Sequence, residues 1–114
     1  MFKGLGQLGD MAKVMKQAQD LQGKISEMQN SLGAITVTGE SGAGLVHVTA
    51  TAKGELTGLD IDASIFRPED KEVAEDLILA AIKDVQAKAE ARRQAEIRRL
   101  TEEMGLPADM NLPL

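Results

Sequence analysis

The sequence predicts an α+β chain of order α-β-β-β-α, with the strands paired as a three-stranded antiparallel meander between long N- and C-terminal helices. Three observations carry that prediction: helical apolar periodicity at both ends, two-residue alternation in three short stretches between them, and glycine-rich links of hairpin length. At 114 residues the chain has the size of one domain, read as 1–114 with a flexible start over 1–7 and an extended tail over 105–114.

From Leu8 to Leu32 the apolar residues keep a seven-residue rhythm. Met11, Ala18, Ile25 and Leu32 share one heptad position, and Val14, Leu21 and Met28 follow three residues after the first three of these. Leu8 and Met15 widen the stripe at its start, and Gly33 is expected to end the helix in a left-handed conformation. Such a helix runs about 38 Å, longer than one small sheet needs, so part of it should meet another surface.

Ala34 to Thr38, Leu45 to Ala52 and Leu56 to Asp62 are rich in Thr, Val and Ile and alternate in polarity. The link from Gly39 to Gly44 carries three glycines and Lys53-Gly54 makes a tighter second turn. Val46, Val48, Ala50 and Ala52 should face a core, with Leu45, His47, Thr49 and Thr51 opposite.

Pro68, followed by Glu69, Asp70 and Glu72, opens the second helix, which should run to about Met104 before Gly105 and Pro107. At 100° per residue Ala74, Ile78, Ala81 and Val85 form a core-facing stripe whose continuation meets Lys88, Arg92 and Arg99. Three cations do not belong on a buried line, so the distal half is expected to leave the body of the protein. A second strip, Ile97, Leu100 and Met104, lies roughly 80° away and needs its own partner surface.

Composition removes whole classes of function. The chain has no cysteine, so disulfides, thiol catalysis and cysteine-ligated metals are excluded, and its single histidine, His47, leaves no zinc-binding spacing. Phe2 and Phe66 are the only aromatics, too few to stack on unpaired bases. The longest apolar run, Leu77 to Ile82, is far short of the ~20 residues of a membrane-spanning helix. Met1 to Gly6 lacks an apolar stretch of signal-peptide length, so a cytoplasmic address and no membrane partner are expected.

Gly4-Leu5-Gly6-Gln7-Leu8-Gly9 spells the dinucleotide fingerprint, but no strand precedes it, so no cofactor is expected. Asp60 and Asp62 could project from one strand face and hold a hard cation or form an acid/base pair, but a solvated edge strand is the better reading. His47 reads as a surface histidine, and no nucleophile, base and oxyanion donor converge, so the chain is not expected to be an enzyme.

Net charge is −5, yet Lys83 to Arg99 holds six bases and three acids. Lys88, Arg92 and Arg99, flanked by Arg93 and Arg98, could neutralise several phosphates, although Glu90 and Glu96 stand at helical pairing distances. Lys13, Lys16 and Lys24 share one side of the first helix with Asp20 and Glu27, an alternation typical of a solvated face.

The segment Thr38-Gly39-Glu40-Ser41-Gly42-Ala43-Gly44-Leu45-Val46, with Leu59-Asp60-Ile61-Asp62 and Glu75-Asp76-Leu77-Ile78-Leu79-Ala80-Ala81, closely resembles the YbaB/EbfC family of bacterial nucleoid-associated proteins. Met15-Lys16-Gln17-Ala18-Gln19, Leu21-Gln22, Gly105-Leu106-Pro107 and Leu112-Pro113 carry the resemblance over nearly the whole chain. It implies a tight homodimer whose helices project as tweezer-like arms and engage double-stranded DNA with little or loose sequence preference, in the nucleoid of the bacterial cytoplasm. The family's determinants lie on the two helices, which directs attention to Lys13, Lys16, Lys24, Lys88, Arg92, Arg93, Arg98 and Arg99. Members commonly carry Lys where His47 stands. The expected function is therefore nucleoid organisation and gene regulation through DNA binding. The alternative is a helical protein-interaction module that docks a recombination or repair protein, with DNA affinity incidental.

Overall fold

The computed structural model describes residues 2–106, with side chains from Gly9 onward. The elements are α1 (Phe2–Ala34), β1 (Thr36–Ser41), β2 (Val46–Thr51), β3 (Leu56–Ile61), 3-10 turns at Ala63–Ile65 and Pro68–Asp70, and α2 (Lys71–Glu103). This is the expected α+β order. α1 begins at Phe2 rather than Leu8, so residues 2–7 of the start expected to be flexible carry helical backbone. Met1 and the tail from Pro107 onward lie outside the described residues.

The strands form one antiparallel sheet of order β1-β2-β3. α2 lies across β1 and β2, and Val46, Val48 and Ala50 are buried beneath it with Ile65, Ala81 and Val85. At the crossing, a Cβ on Gly39 would stand 2.7 Å from the Val85 Cα, so the helix backbone needs glycine there. This corrects one expectation: Gly39 and Glu40 belong to β1, and the turn runs from Gly42 to Leu45, with positive φ at Gly42, Ala43 and Gly44. The Glu40 N–H donates to the Asp84 carboxylate at 2.9 Å and the Ser41 hydroxyl to the Leu77 carbonyl, so α2 covers the β1 edge. Among the described residues the β3 side has no such cover.

α1 stops without the left-handed glycine expected at Gly33; it runs on to Ala34, and Gly33 is not among the positive-φ residues. α2 does end on such a residue. Gly105 has φ 70°, its N–H donates to the Glu102 carbonyl, and the Leu106 N–H donates to the Thr101 carbonyl. These two bonds close a Schellman motif.

A second core joins the C-terminal parts of both helices, where Met28 and Leu32 of α1 pack with Ala52 and Leu100, flanked by Ile25, Ile97, Met104 and Leu106. The strip Ile97, Leu100 and Met104 thus finds its partner within the same chain. Each helix is about 50 Å long, and they overlap only at their C-terminal thirds. The molecule accordingly measures 84 × 22 × 18 Å, with a radius of gyration of 21.9 Å against roughly 13 Å for a compact chain of this length.

The buried line of α2 also explains where the distal cations sit. It passes through Ala81, Val85 and Ala89 to half-buried Arg93 and Ile97 and buried Thr101, four residues at a step. Each four-residue step advances the line ~40° around the helix, which carries it from the sheet to α1. The stripe through Lys88, Arg92 and Arg99 is not a core line turned basic, because the core line has moved off it.

Candidate nucleic-acid interface

The two helices overlap antiparallel. Lys24 Nζ lies 3.9 Å from a carboxylate oxygen of Glu103, and a cleft at the overlap is lined by Met28, Ser31, Glu96 and Arg99. Residues before about Leu21 therefore project past the end of α2. Every residue from Gly9 to Asp20 is exposed, and on this arm Lys13 and Lys16 stand opposite the apolar seam.

The eight candidate cations differ in how far their charge is offset. Among the described residues Lys13, Lys16 and Arg98 have no carboxylate within ion-pair distance. Lys24 sits 3.9 Å from both Glu27 and Glu103. Lys88 pairs with Asp84 at 3.0 Å and Arg93 with Glu90 at 2.9 Å. Arg92 and Arg99 share one carboxylate, Glu96, at 3.3 and 3.5 Å, so one positive charge remains between them. The Glu96 side chain is only 11% exposed, held under the two guanidinium groups beside the α1–α2 overlap.

Local hydrogen bonding keeps two of these counter-charges ionised. Arg93 and then Gln94 donate to Glu90 and lower its carboxyl from the ordinary 4.5 to about 2. The Glu40 N–H, followed by the Lys88 ammonium, lowers Asp84 below the usual carboxylate range. The i,i+3 roles of Glu90 and Glu96 were legible from spacing. Asp84 was missed, although its position four residues before Lys88 is the favourable orientation of such a pair.

The candidates do not form one patch. Lys88, Arg92 and Arg99 line one stripe of α2; Arg98 lies about 100° round from Arg99, and Arg93 turns towards Lys53, Met28 and Leu32. Lys13 and Lys16 stand apart on the arm. Elsewhere, Asp62 accepts from the Ser64 N–H at 2.8 Å as the cap of a 3-10 turn, beyond the end of β3, so it forms no strand-face pair with Asp60. That hydrogen bonding to Ser64 lowers the Asp62 carboxyl. His47 lies on the outer sheet face, 3.3 Å from Glu40.

A bulge reveals a surface that sequence spacing hid. Leu56 and Leu59 are three apart, which would place them on opposite faces of a regular strand, but the pairing shifts between Thr49 and Ala50. Leu59 then pairs with Val48 and Leu56 with Ala50, so both turn to the α2 side of the sheet, at the margin of what α2 covers. About half exposed, they flank a 260 Å³ groove with Val48 and Ile82.

The profile of the YbaB/EbfC DNA-binding family matches residues 7–104. A nucleoid-associated protein of Bradyrhizobium diazoefficiens is 47% identical over 87 residues, covering 76% of this chain and 82% of that protein. Another, from Beijerinckia indica subsp. indica, is 44% identical over 81 residues, covering 71% and 80%. The crystal structure of an uncharacterised Helicobacter pylori protein superposes with a TM-score of 0.70 at 25% identity, over 78% of this chain and 94% of that one.

Proposed function

The chain belongs to the YbaB/EbfC DNA-binding family, and from that premise we propose that it is a non-enzymatic nucleoid-associated protein gripping the backbone of double-stranded DNA with little sequence preference. The observation that carries this reading is the projecting arm of α1, where Lys13 and Lys16 are exposed with no carboxylate in pairing range among the described residues. Arg98 and the half-offset pair Arg92 and Arg99 supply further charge along α2. Phosphate contacts of this kind give affinity without reading base edges. Its place of action is the nucleoid of the cytoplasm, and its roles are nucleoid organisation and gene regulation. No helix among the described residues is long and apolar enough to cross a membrane.

The acting unit is a homodimer. What supports this is the uncovered inner face at β3, where Leu56, Leu59 and Ile82 offer an apolar surface beside an open strand edge. A homodimer carries twice the chain's −5. DNA is then repelled at long range, and binding depends on local cations within a Debye length of ~8 Å.

Fluorescence anisotropy of a labelled duplex of about 30 base pairs, titrated with random-sequence competitor, tests the DNA reading. Binding should weaken by orders of magnitude between about 50 and about 200 mM salt and yield to competitor. Absence of binding at the lower salt defeats it. Sedimentation of a Leu59→Glu chain tests the dimer: a monomer is expected, and an undiminished dimer removes β3 as the contact.

A further inference from the structure

Arg92, Ala95, Glu96 and Arg99 stand at i, i+3, i+4 and i+7 of α2, the four corners of one helical diamond. The two arginines at its ends are about 10 Å apart along the axis. Glu96 lies between them on the side of the α1–α2 cleft: the Arg92 Nε donates to one of its oxygens at 3.3 Å, and Arg99 Nη2 is 3.5 Å from the other. The carboxylate is 11% exposed, whereas the arginine side chains are 50% and 76% exposed. At the opposite corner, away from α1, is exposed Ala95. We propose that this diamond is a phosphate clamp: one phosphodiester of duplex DNA seats over Ala95 between the two guanidinium groups, with Glu96 as the positioning residue that draws them together. The clamp rests on the DNA reading above and gives it a defined contact on α2.

The surroundings of Ala95 favour an anion. Its neighbours one turn away, at i−4, i−3, i+3 and i+4, are Ala91, Arg92, Arg98 and Arg99, with no acid among them. Arg98 has no carboxylate in ion-pair range among the described residues, so three guanidinium groups and Glu96 leave two positive charges around the seat. Glu27 and Glu103 are held on the α1 side, where both face Lys24. The methyl group of Ala95 lets an oxyanion approach the helix closely, which a longer side chain there would prevent. Each guanidinium carries five N–H donors in a rigid fork, and Glu96 engages Arg92 through Nε and Arg99 through one terminal nitrogen, so further donors of both forks remain for a phosphate. Because Glu96 orders both long side chains before DNA arrives, less rotamer freedom is lost on binding.

The test keeps the charge constant, because a diffuse basic surface responds only to charge. Affinity for the labelled duplex is read by anisotropy at one salt concentration. Arg92→Lys with Arg99→Lys retains both charges and removes the forks, so affinity should fall about three- to fivefold. Ala95→Leu changes no charge and suits an exposed helix, yet it fills the seat and should cost a similar factor, whereas Ala95→Ser should stay within about twofold of the unaltered chain. Lys13→Arg with Lys16→Arg, the same kind of exchange on the α1 arm, should also stay within about twofold. Losses below about twofold for the double lysine variant or for Ala95→Leu would overturn the clamp, and so would an equal loss for Ala95→Ser. Binding by the unaltered chain with any of those results leaves the DNA reading standing without the clamp; no binding by the unaltered chain defeats both. Unchanged melting temperatures confirm that the variants are folded, as expected for exposed positions of α2.

Discussion

The two halves of α1 share one heptad seam and meet different fates. From Ile25 to Leu32 the seam lies against Leu100, Ile97 and Met104, while from Met11 to Ala18 it faces solvent. The residue types and spacing are alike in the two halves. What differs is whether another element reaches them, and α2 ends at Glu103, level with Lys24. Apolar periodicity therefore states that a face wants cover, and tertiary structure states from where it comes.

The largest effect expected of any single change is at the joint that places α2 over both sheet and α1. Gly39→Val drives a branched side chain into the Val85 backbone, which no rotamer change relieves, and should cost about 3 kcal/mol or more. Denaturant titration measures it, and a loss under about 1 kcal/mol would mean that α2 is free to shift on β1. Leu100→Ala opens the buried half of the seam and should cost roughly 2–3 kcal/mol. Val14→Ala, the same kind of truncation on the bare half, should stay within ~0.5 kcal/mol. Equal losses at the two positions would erase the contrast.

For DNA, the halves should differ in the opposite sense. Lys13→Glu with Lys16→Glu removes two cations with no acidic partner in range among the described residues, so affinity should fall about tenfold or more and the salt slope by about 2. Arg92→Glu with Arg99→Glu acts where Glu96 already offsets part of the charge and should cost less. If the α2 variant loses more, the ranking of the arms is reversed.

The smallest effect is on pH. Glu90 and Asp84 have carboxyls lowered in the folded state, so their contribution is present above the ordinary carboxylate range and is lost as pH falls. Melting temperature should be flat near neutrality and decline from about 4.5 towards about 2, the interval between the ordinary and folded values of Glu90. Glu90→Gln should soften that decline slightly, because the Glu90–Arg93 pair is exposed to solvent.

Much of this was legible in the chain itself. Heptad spacing gave α1, the alternation from Val46 to Ala52 gave the buried face of β2, and the Pro68 and Gly105 signals bracketed α2. The cations were legible as residues but not as an ordered set. Which of them keep their charge depends on Asp84, Glu96 and Glu103, whose reach depends on helix register and on how far two helices overlap.

Local patterning determined the elements, their order and the need of each apolar face for cover, because periodicities of two, four and seven follow from backbone geometry alone. Only tertiary structure decided that the buried line of α2 winds from sheet to α1, that a bulge turns Leu56 and Leu59 to one face, and that α1 outruns its cover. These depend on where two distant segments cross, and the glycine at β1 that allows the closest crossing looks, in sequence, like part of a turn.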